Sequence, residues 1–309
     1  MITDLPSEND LEHAGIDYLD MAMTEAIGIA LGEEYYIENN DPTGEVDLVQ
    51  EYWTSVRYEL AKCASLLQTG TELLLKSRIA GISPFLLLDR VSTWLNRASR
   101  ENVHFDEFRT VDVRVLPQIY NTVCGRRLSD AFMSTLEGIR KRRNAIVHSA
   151  SDRAVPTCES IVLDVLEVSA NLIGEGKWPE IHRNKANSPP FSYVDHHDQI
   201  KAGLVIEFEF LVNLLTPSDV KRHLCISKKQ RRYYCPCCKY GDVAPDIRIA
   251  QLRPNGPNST TLYCIACDTG HTVRRQNCPH CSGNVIGKDD HCLSCGSNIS
   301  QKTTIRRIR

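Results

Sequence analysis

"TELLLKSRIAGISPFLLL", residues 71–88, is the stretch that decides the fold class of most of this chain. Its leucines and isoleucines cluster at the three- and four-residue spacing of a buried helix, and they do not alternate with polar residues as in a half-buried strand. Ile82, Ser83 and Pro84 then break the pattern, because proline lacks the amide hydrogen that a helix interior needs. The stretch therefore predicts the end of one helix and the start of another.

Helical patterning continues on both sides of this stretch. Apolar residues recur at helical spacing over 11–32 and 46–79, and the segment 84–99 is patterned in the same way. Residues 102–115 are less periodic and predict a loop, whereas 174–192 has the glycine, proline and polar content of a linker. Further helices are predicted at 116–124, 127–141, 143–150, 156–174, 197–215 and from Pro217. The body of the chain is therefore predicted to be mainly α-helical.

Length and composition limit the class of protein. With 309 residues and 42% hydrophobic content, the chain is long enough for two or three domains and at least one buried core. The opening "MITDLPSEND" lacks the apolar run of a secretory signal, and no stretch reaches the roughly 20 apolar residues that span a bilayer. We therefore expect a cytoplasmic protein with no membrane partner, whose 13 cysteines stay reduced.

Charge is distributed unevenly along the chain. Fourteen acidic residues precede the first basic residue, Arg57, whereas residues 221–309 contain 16 Lys and Arg residues and five acidic ones. Such asymmetry indicates a partner of one sign, or attraction between the two ends of the chain. The alternative is that each end is a solvated face, with the helix at 11–32 packed on the rest of the bundle.

Eight cysteines form four Cys-x2-Cys pairs. Each pair can direct two thiolates at one ion, and two pairs complete the tetrahedral four-thiolate site of a zinc ribbon, which leaves no open position for catalysis. Pairing in sequence order predicts two structural Zn²⁺ ions per chain, with Cys237 as a spare thiol and His271, His280 and His291 outside the ligand set. The predicted metal ligands are Cys235, Cys238, Cys264, Cys267, Cys278, Cys281, Cys292 and Cys295.

Basic and aromatic residues flank the predicted ribbons. "KKQRRYYC", 228–235, precedes the first cysteine, and the basic tail "TTIRRIR", 303–309, follows the last one. Cationic side chains next to an aromatic ring can hold phosphates and stack on a base. The alternative is that zinc replaces a small core and the cations serve solubility. The candidate nucleic-acid contacts are Arg142, Lys229, Arg231, Arg232, Tyr234, Arg274 and Arg275.

The segment "RNAIVH", 143–148, places a guanidinium, an amide and an imidazole in an otherwise aliphatic helix. An upstream helix, "ELLLKSR" at 72–78, carries an acid, Glu72. In these two features the chain resembles the HEPN family of helical-bundle ribonucleases over roughly residues 46–175. The signature of that family is an Arg, a polar residue, a few further positions and a His.

The resemblance implies a HEPN-like helical bundle with metal-independent endoribonuclease activity. Family members are often toxins or effectors of antiviral defence against phage, and they dimerise to build the site. The catalytic residues implied here are Arg143, Asn144 and His148, with Glu72 as a companion that orients Arg143 or His148, or that merely pairs with Lys76. RNA is the implied substrate, and the implied assembly is a homodimer, with a possible regulatory partner protein.

The chemistry of these residue types suits cleavage of RNA by its own 2′-hydroxyl. The His148 imidazole, with an ordinary pKa near 6.5, can act as base or acid at neutral pH, and Arg143 can grip phosphate with two parallel hydrogen bonds. Asn144 lies four residues before His148 and therefore shares its helix face. Arg143 and His148, however, stand about 140° and roughly 7.5 Å apart on an ideal helix. Either a helix end or two copies meeting across a dimer axis would bring them to one phosphate.

The predicted organisation has five parts. An acidic helical N-terminal segment (1–45) precedes a HEPN-like helical bundle (46–180), a linker with helices (181–230) and two small zinc-ribbon modules (231–270 and 271–309). The fold class is therefore predicted to be mainly α, followed by zinc ribbons. Two other functions remain open at this stage. One is a non-catalytic HEPN scaffold that binds nucleotide or protein, and the other is a zinc-ribbon nucleic-acid-binding regulator with a helical dimerisation domain.

Overall fold

The computed structural model describes residues 1–40, 47–149, 155–188, 197–239 and 246–300. Ten α-helices and seven short strands occupy these ranges. The chain divides into two compact units, residues 1–175, here called the helical unit, and residues 176–309, here called the cysteine unit. No helix in the described ranges is both long and apolar enough to cross a membrane.

The helical unit is built around one central helix. This helix, α3, packs against helices that precede and follow it in the chain. The unit also contains two short strands, β1 (Ile2–Thr3) and β2 (Val103–His104), which pair in parallel. The helices are α1 (Glu8–Asn40), α2 (Leu48–Ser55), α3 (Arg57–Ala80), α4 (Val91–Ala98), α5 (Leu116–Val123), α6 (Asp130–Ser149) and α7 (Cys158–Leu172).

The acidic segment at the start of the chain belongs to this core. Leu19, Met23 and Ile27 of α1 are almost completely buried, and α1 runs along α3. The two helices cross closely at a pair of glycines, since a Cβ at Gly70 would lie 2.8 Å from the carbonyl oxygen of Gly15. This crossing explains the glycine inside α3. Residues 1–40 are therefore an element of the bundle and not a separate acidic segment.

Three boundaries differ from the sequence-based prediction. The helix predicted over 46–79 is broken at Val56, whose ψ of 6° leaves the helical region and separates α2 from α3. The segment 84–99 forms a single 3₁₀ turn at Pro84–Leu87 before α4, because Leu88 leaves the helix to bridge Thr110. The helices predicted at 127–141 and 143–150 are one continuous helix, α6.

The cysteine unit combines three helices with two small antiparallel sheets. The helices are α8 (Trp178–Ala186), α9 (His197–Leu214) and α10 (Pro217–Leu224). One sheet has the order β3 (Gln251–Leu252), β4 (Thr261–Cys264) and β5 (Thr269–Thr272), and the other pairs β6 (Arg274–Arg275) with β7 (Val285–Ile286).

Helix α8 lies within the segment predicted as a linker, 174–192, and that prediction is wrong for Trp178–Ala186. Trp178 is only 1% exposed, and its ring stacks on the ring of His182 with centroids 6.1 Å apart. The Nε2 atom of His182 lies 2.5 Å from the carboxylate of Glu207 on α9. Side chains of α8 are therefore buried. The sequence predicted a linker here because most residues of α8 are polar.

Candidate functional site

Two groups of four cysteines converge in the cysteine unit, with the pairing that the sequence predicts. Cys235, Cys238, Cys264 and Cys267 form cluster 1, and Cys278, Cys281, Cys292 and Cys295 form cluster 2. Within each cluster, all four sulfur atoms lie within 4.8 Å of one another. No disulfide is formed by these eight residues.

The sulfur geometry fits a tetrahedral metal. The Sγ–Sγ distances are 3.7 Å for Cys235–Cys267 and 3.9 Å for Cys238–Cys264 in cluster 1. In cluster 2 the Sγ–Sγ distances are 3.8 Å for Cys278–Cys295 and 3.7 Å for Cys281–Cys292. A tetrahedron with metal–sulfur bonds of about 2.3 Å, as for zinc, has sulfur–sulfur edges of about 3.8 Å. Each cluster can therefore hold one ion with four thiolates.

Backbone amides support the sulfur atoms. The amide of Cys238 donates to Cys235 Sγ at 3.4 Å in cluster 1, and those of His280 and Gly283 donate to sulfurs of cluster 2 at 3.3 Å and 3.2 Å. Gly296 follows the last cysteine with a φ of +78°, which an L side chain rarely adopts. At Gly283 the constraint is space, because a Cβ there would lie only 2.4 Å from Ser294 Oγ.

A histidine and an arginine flank cluster 1. His271 Nε2 lies 3.3 Å from Cys235 Sγ and can donate a hydrogen bond to it, so His271 lies beside the ligands. Arg183 of α8 is 8% exposed; its Nη1 donates to the Ile265 carbonyl at 2.8 Å, and its Nη2 pairs with Asp268 at 2.8 Å. Helix α8 therefore holds the turn that contains Cys264 and Cys267. Sequence reasoning missed Arg183, because nothing near it in the chain marks a contact 82 residues away.

Half of the six basic residues predicted to contact nucleic acid have ion-pair partners in the protein. Arg232 pairs with Glu209, and Arg274 pairs with Asp290. Arg275 is half-buried, and its Nε and Nη1 atoms are hidden from solvent with no hydrogen-bond partner among the described residues. Arg232 and Arg275 are thus largely withdrawn from the surface, whereas Arg274 stays exposed beside Asp290. The basic tail 303–309 lies outside the described residues.

Lys229 and Arg231 remain as candidates. Both side chains are exposed. Lys229 has no ion-pair partner within the ranges that the structure describes. The guanidinium of Arg231 lies 5.4 Å from the ring centroid of Tyr233, a contact that leaves it accessible. Of the residues predicted near the ribbons to contact nucleic acid, Lys229 and Arg231 are therefore the ones that are exposed and have no ion pair in the described ranges.

Tyr234 is not available to stack on a base. It is only 3% exposed. Lys239 Nζ lies 3.8 Å and the Arg248 guanidinium 4.9 Å from its ring centroid, and its hydroxyl donates to Asp246. Its aromatic face and its polar end are thus used inside the unit, and we do not assign Tyr234 to a nucleic-acid surface.

Helix α6 carries the basic run of the helical unit, and most of that run is paired. Arg140 pairs with Glu137 at 2.7 Å, and Lys141 reaches the same carboxylate at 3.6 Å. Arg142 pairs with Asp164 on α7. Desolvation raises the pKa of Asp164 to about 6, and the Arg142 guanidinium offsets part of that rise. Arg142 therefore joins α6 to α7, and sequence reasoning missed this partner.

Arg143 differs from these neighbours. It forms no ion pair within the described ranges, and its Nη1 donates to Asn144 Oδ1 at 3.3 Å. The half-buried side chains of Arg143 and Asn144 thus lie side by side on α6. His148 is on the same helix, but its side chain lies outside what the structure describes.

Glu72 lies on α3, where Lys76 pairs with it at 2.6 Å. It also lines a cavity of about 260 Å³ between α3, α5 and α6. Four lining residues come from one face of α3, four come from one face of α6, and the others come from 113–114 and the start of α5. They are Gln68, Thr71, Glu72, Leu75, Val113, Arg114, Pro117, Gln118, Met133, Leu136, Glu137 and Arg140.

Comparisons with protein-family models, curated proteins and solved structures gave no match for this chain. The resemblance to HEPN ribonucleases therefore rests on the residues of "RNAIVH" and of the upstream helix alone. What the residues themselves provide is an Arg–Asn pair on α6, a neighbouring cavity and two four-cysteine clusters.

Proposed function

We propose that this chain is a metal-independent endoribonuclease of HEPN type, whose two four-cysteine clusters hold structural zinc and whose ribbons contact nucleic acid. The observation that carries the proposal is that Arg143 has no carboxylate partner among the described residues. Its basic neighbours on α6 are tied to carboxylates, whereas Arg143 has no ion pair within the described residues and contacts Asn144. A guanidinium kept without an anionic partner is suited to an anionic ligand such as a phosphodiester.

The proposed reaction is transfer of the phosphodiester to its own 2′-hydroxyl. The 2′-oxygen attacks phosphorus, the bond to the 5′-oxygen breaks, and the products are a 2′,3′-cyclic phosphate and a 5′-hydroxyl end. Arg143 would stabilise the charge that develops on the phosphoryl oxygens, and His148 would transfer a proton at the 2′- or 5′-oxygen. Asn144, four residues before His148, would orient its imidazole.

A second copy of the chain completes the proposed site. Helix α6 is continuous through residues 130–149, so Arg143 and His148 of one chain are separated by the helical rotation of about 100° per residue. On a regular helix these two positions are about 140° apart, so we expect one chain alone not to bring both groups to a single phosphate. A homodimer with two-fold symmetry would place Arg143 of one protomer opposite His148 of its partner.

Cleavage assays test the catalytic assignment. Arg143→Ala and His148→Ala should each lower the rate by 100-fold or more, because each removes a group that acts on the reacting atoms (general acid–base catalysis alone contributes roughly 10²–10⁴-fold). Lys141→Ala is the matched control on α6, since Lys141 is exposed, and it should cleave as the wild type does. The wild type should also cleave in EDTA while elemental analysis still finds zinc bound. Wild-type rates in a folded His148→Ala protein would contradict the proposal.

Mixing the two inactive variants tests the shared site. A dimer of one Arg143→Ala chain and one His148→Ala chain retains one intact pair only if the pair is formed across the interface. Random exchange should then restore about a quarter of the wild-type activity, since half of the dimers are mixed and each has one of two sites intact. No recovery from chains that exchange and dimerise would show that each site is built within one protomer.

The two alternative functions predict different results. A non-catalytic scaffold or a nucleic-acid-binding regulator should bind RNA or DNA without forming a cyclic phosphate end, and neither should respond to His148→Ala. Exposed Lys229 and Arg231 are the residues to change for the ribbon contribution. Lys229→Ala combined with Arg231→Ala should weaken RNA binding and reduce its salt dependence, because fewer counterions are released.

A further inference from the structure

The cavity beside α6 contains a buried amide with no partner. Gln68 of α3 is 9% exposed and lines the cavity, yet its side chain makes no hydrogen bond to any residue that the structure describes. Its amide atoms are not among the polar atoms that are fully hidden from solvent without a partner, so the exposed part of this side chain opens on the cavity. An amide offers one oxygen acceptor and two N–H donors, and here all of them are available to a ligand.

The charges around this amide are balanced. Glu137 pairs with Arg140 at 2.7 Å, and Arg114 pairs with Asp112 at 3.0 Å, an interaction that lowers the pKa of Asp112 to about 2. Glu72, one helical turn after Gln68, pairs with Lys76 outside the lining. With each charge opposed, the cavity does not select an anion. A neutral polar group is the better match for it.

The rest of the lining is mainly apolar, with Thr71 and Gln118 as its other polar members. Five side chains, Leu75, Val113, Pro117, Met133 and Leu136, come from α3, α5, α6 and the residues just before α5. The cavity of about 260 Å³ is slightly smaller than the range of about 300–1,000 Å³ for drug-sized ligands. A single flat ring system with polar edges therefore fits its size and chemistry better than a larger molecule.

We propose that this cavity binds one unstacked nucleobase of the RNA substrate and prefers a base with an exocyclic amino group. This inference rests on the proposed ribonuclease function and adds a specificity site to it. Gln68 would bond both an amino group and the ring nitrogen next to it, the pairing by which glutamine reads adenine. Because an amide can turn to bond the carbonyl and ring N–H of uracil as well, the choice falls to Glu72, which carries only acceptors and favours a second N–H of the same amino group.

The position of the cavity suits a base next to the scissile phosphate. Arg140 lines the cavity from α6, and Arg143 lies three residues later, about 4.5 Å further along the helix axis. RNA-binding proteins commonly read single-stranded bases that are splayed out of a stack. A base held here would place its backbone along α6 towards Arg143.

Nucleoside binding tests the cavity without relying on cleavage or on phosphate contacts. Adenosine, cytidine and uridine are titrated into the full-length protein by ligand-observed NMR. Adenosine and cytidine should bind about tenfold more tightly than uridine, a size typical of one good bidentate contact. Gln68→Leu should reduce this preference to within about twofold, because without the two hydrogen bonds to Gln68 the base edge is no longer held against Glu72, while the size of the side chain is kept.

The controls separate binding from folding. Gln50→Leu changes an exposed glutamine on α2, outside this cavity, and should retain the preference. Gln68→Met, an unbranched replacement, repeats the test if Gln68→Leu does not fold. Equal binding of the three nucleosides by the wild type would overturn the proposal, and so would an unchanged preference in either folded Gln68 variant.

Cleavage then distinguishes the two proposals. If the wild type cleaves RNA, Gln68→Leu should lower the rate after adenosine or cytidine relative to uridine, while Arg143→Ala lowers all rates alike. If nucleosides bind through Gln68 but the protein does not cleave RNA, the ribonuclease proposal is contradicted and the base-site proposal is supported. If RNA is cleaved with the same base preference by Gln68→Leu as by the wild type, the base-site proposal is contradicted and the ribonuclease proposal stands.

Discussion

Asp164 shows how burial changes the chemistry of one residue. Its side chain is 16% exposed, and desolvation raises the pKa of its carboxyl to about 6 even though Arg142 pairs with it. In an unfolded chain an aspartate has a pKa of about 3.9. The folded protein therefore binds this proton more tightly than the unfolded chain. The resulting stabilisation is fully present below about pH 4 and is lost as the pH rises through about 6.

Asp164→Asn should remove this pH dependence. Lowering the pH from 7 to 5 should raise the free energy of unfolding of the helical unit by about 1 kcal/mol more in the wild type than in the variant. Urea denaturation followed by the helical circular dichroism signal measures the difference. Asp106→Asn, at an exposed position, is the control and should follow the wild type. Parallel pH profiles for wild type and Asp164→Asn would show that burial does not raise the pKa of Asp164.

Arg78 illustrates how one side chain can join several helices. It pairs with Glu8 at 3.2 Å and with Glu12, both on α1, and its Nε donates to the Leu172 carbonyl at the end of α7 at 2.8 Å. Removing one partner of a partly buried ion pair leaves the others unsatisfied. The acids at the start of the chain thus have a structural role in the helical unit, which their charge alone did not indicate.

At the scale of elements, α8 holds one of the two cysteine turns of cluster 1. Arg183 fixes the turn between Cys264 and Cys267 through the Ile265 carbonyl and Asp268. The turn can direct both thiolates at one ion only while its backbone is held. Groups that orient metal ligands commonly contribute 10- to 100-fold to metal affinity. Cluster 2 has no described contact with Arg183, so the two clusters should differ in their dependence on it.

Arg183→Met should therefore weaken one metal site and spare the other. We expect about half of the bound zinc to be released to a chromogenic chelator roughly tenfold faster than in the wild type, with the other half unchanged. Lys177→Met, which alters an exposed cation beside the same helix, is the control and should release zinc at the wild-type rate. Equal acceleration at both sites, or none, would show that α8 does not hold this turn.

At the scale of the whole molecule, the ribbon around cluster 2 has a much smaller apolar core than the helical unit. The helical unit buries long apolar side chains from α1, α3, α6 and α7, whereas the apolar core around cluster 2 is small and includes Cys278, Ile286 and Cys292. Small modules of this kind obtain much of their folding free energy from metal binding. Loss of metal should thus affect the units unequally.

Elemental analysis should find two zinc ions per chain. Cys281→Ser should reduce this to one, and Cys237→Ser, which changes the exposed spare thiol, should leave two. Removing the metal should unfold the ribbons and leave most of the helical signal, because the helices of residues 1–175 contain no cluster ligand. One ion or none in carefully purified wild-type protein would contradict the assignment of the clusters.

Local patterns in the sequence determined the secondary structure and the metal clusters. Apolar spacing predicted α1, α3, α7, α9 and α10, because amphipathic periodicity reflects which face of a helix is buried. The Cys-x2-Cys spacing predicted both clusters, since each turn brings its two sulfurs together through the local backbone. The small-residue crossing of Gly15 and Gly70, by contrast, could not be recognised without knowing that α1 packs on α3.

Only the tertiary structure decided which chemical groups are free to act. Consecutive arginines 142 and 143 look alike in the sequence, but Arg142 pairs with a carboxylate 22 residues away, whereas Arg143 has no carboxylate partner among the described residues. Tyr234 beside basic residues suggested a stacking platform, yet the fold buries it. That the Gln68 amide has no hydrogen-bond partner in the described part of the chain is apparent only from the cavity between α3, α5 and α6. Pairing, burial and cavities depend on side chains from distant segments, and the local spacing of residues does not encode those contacts.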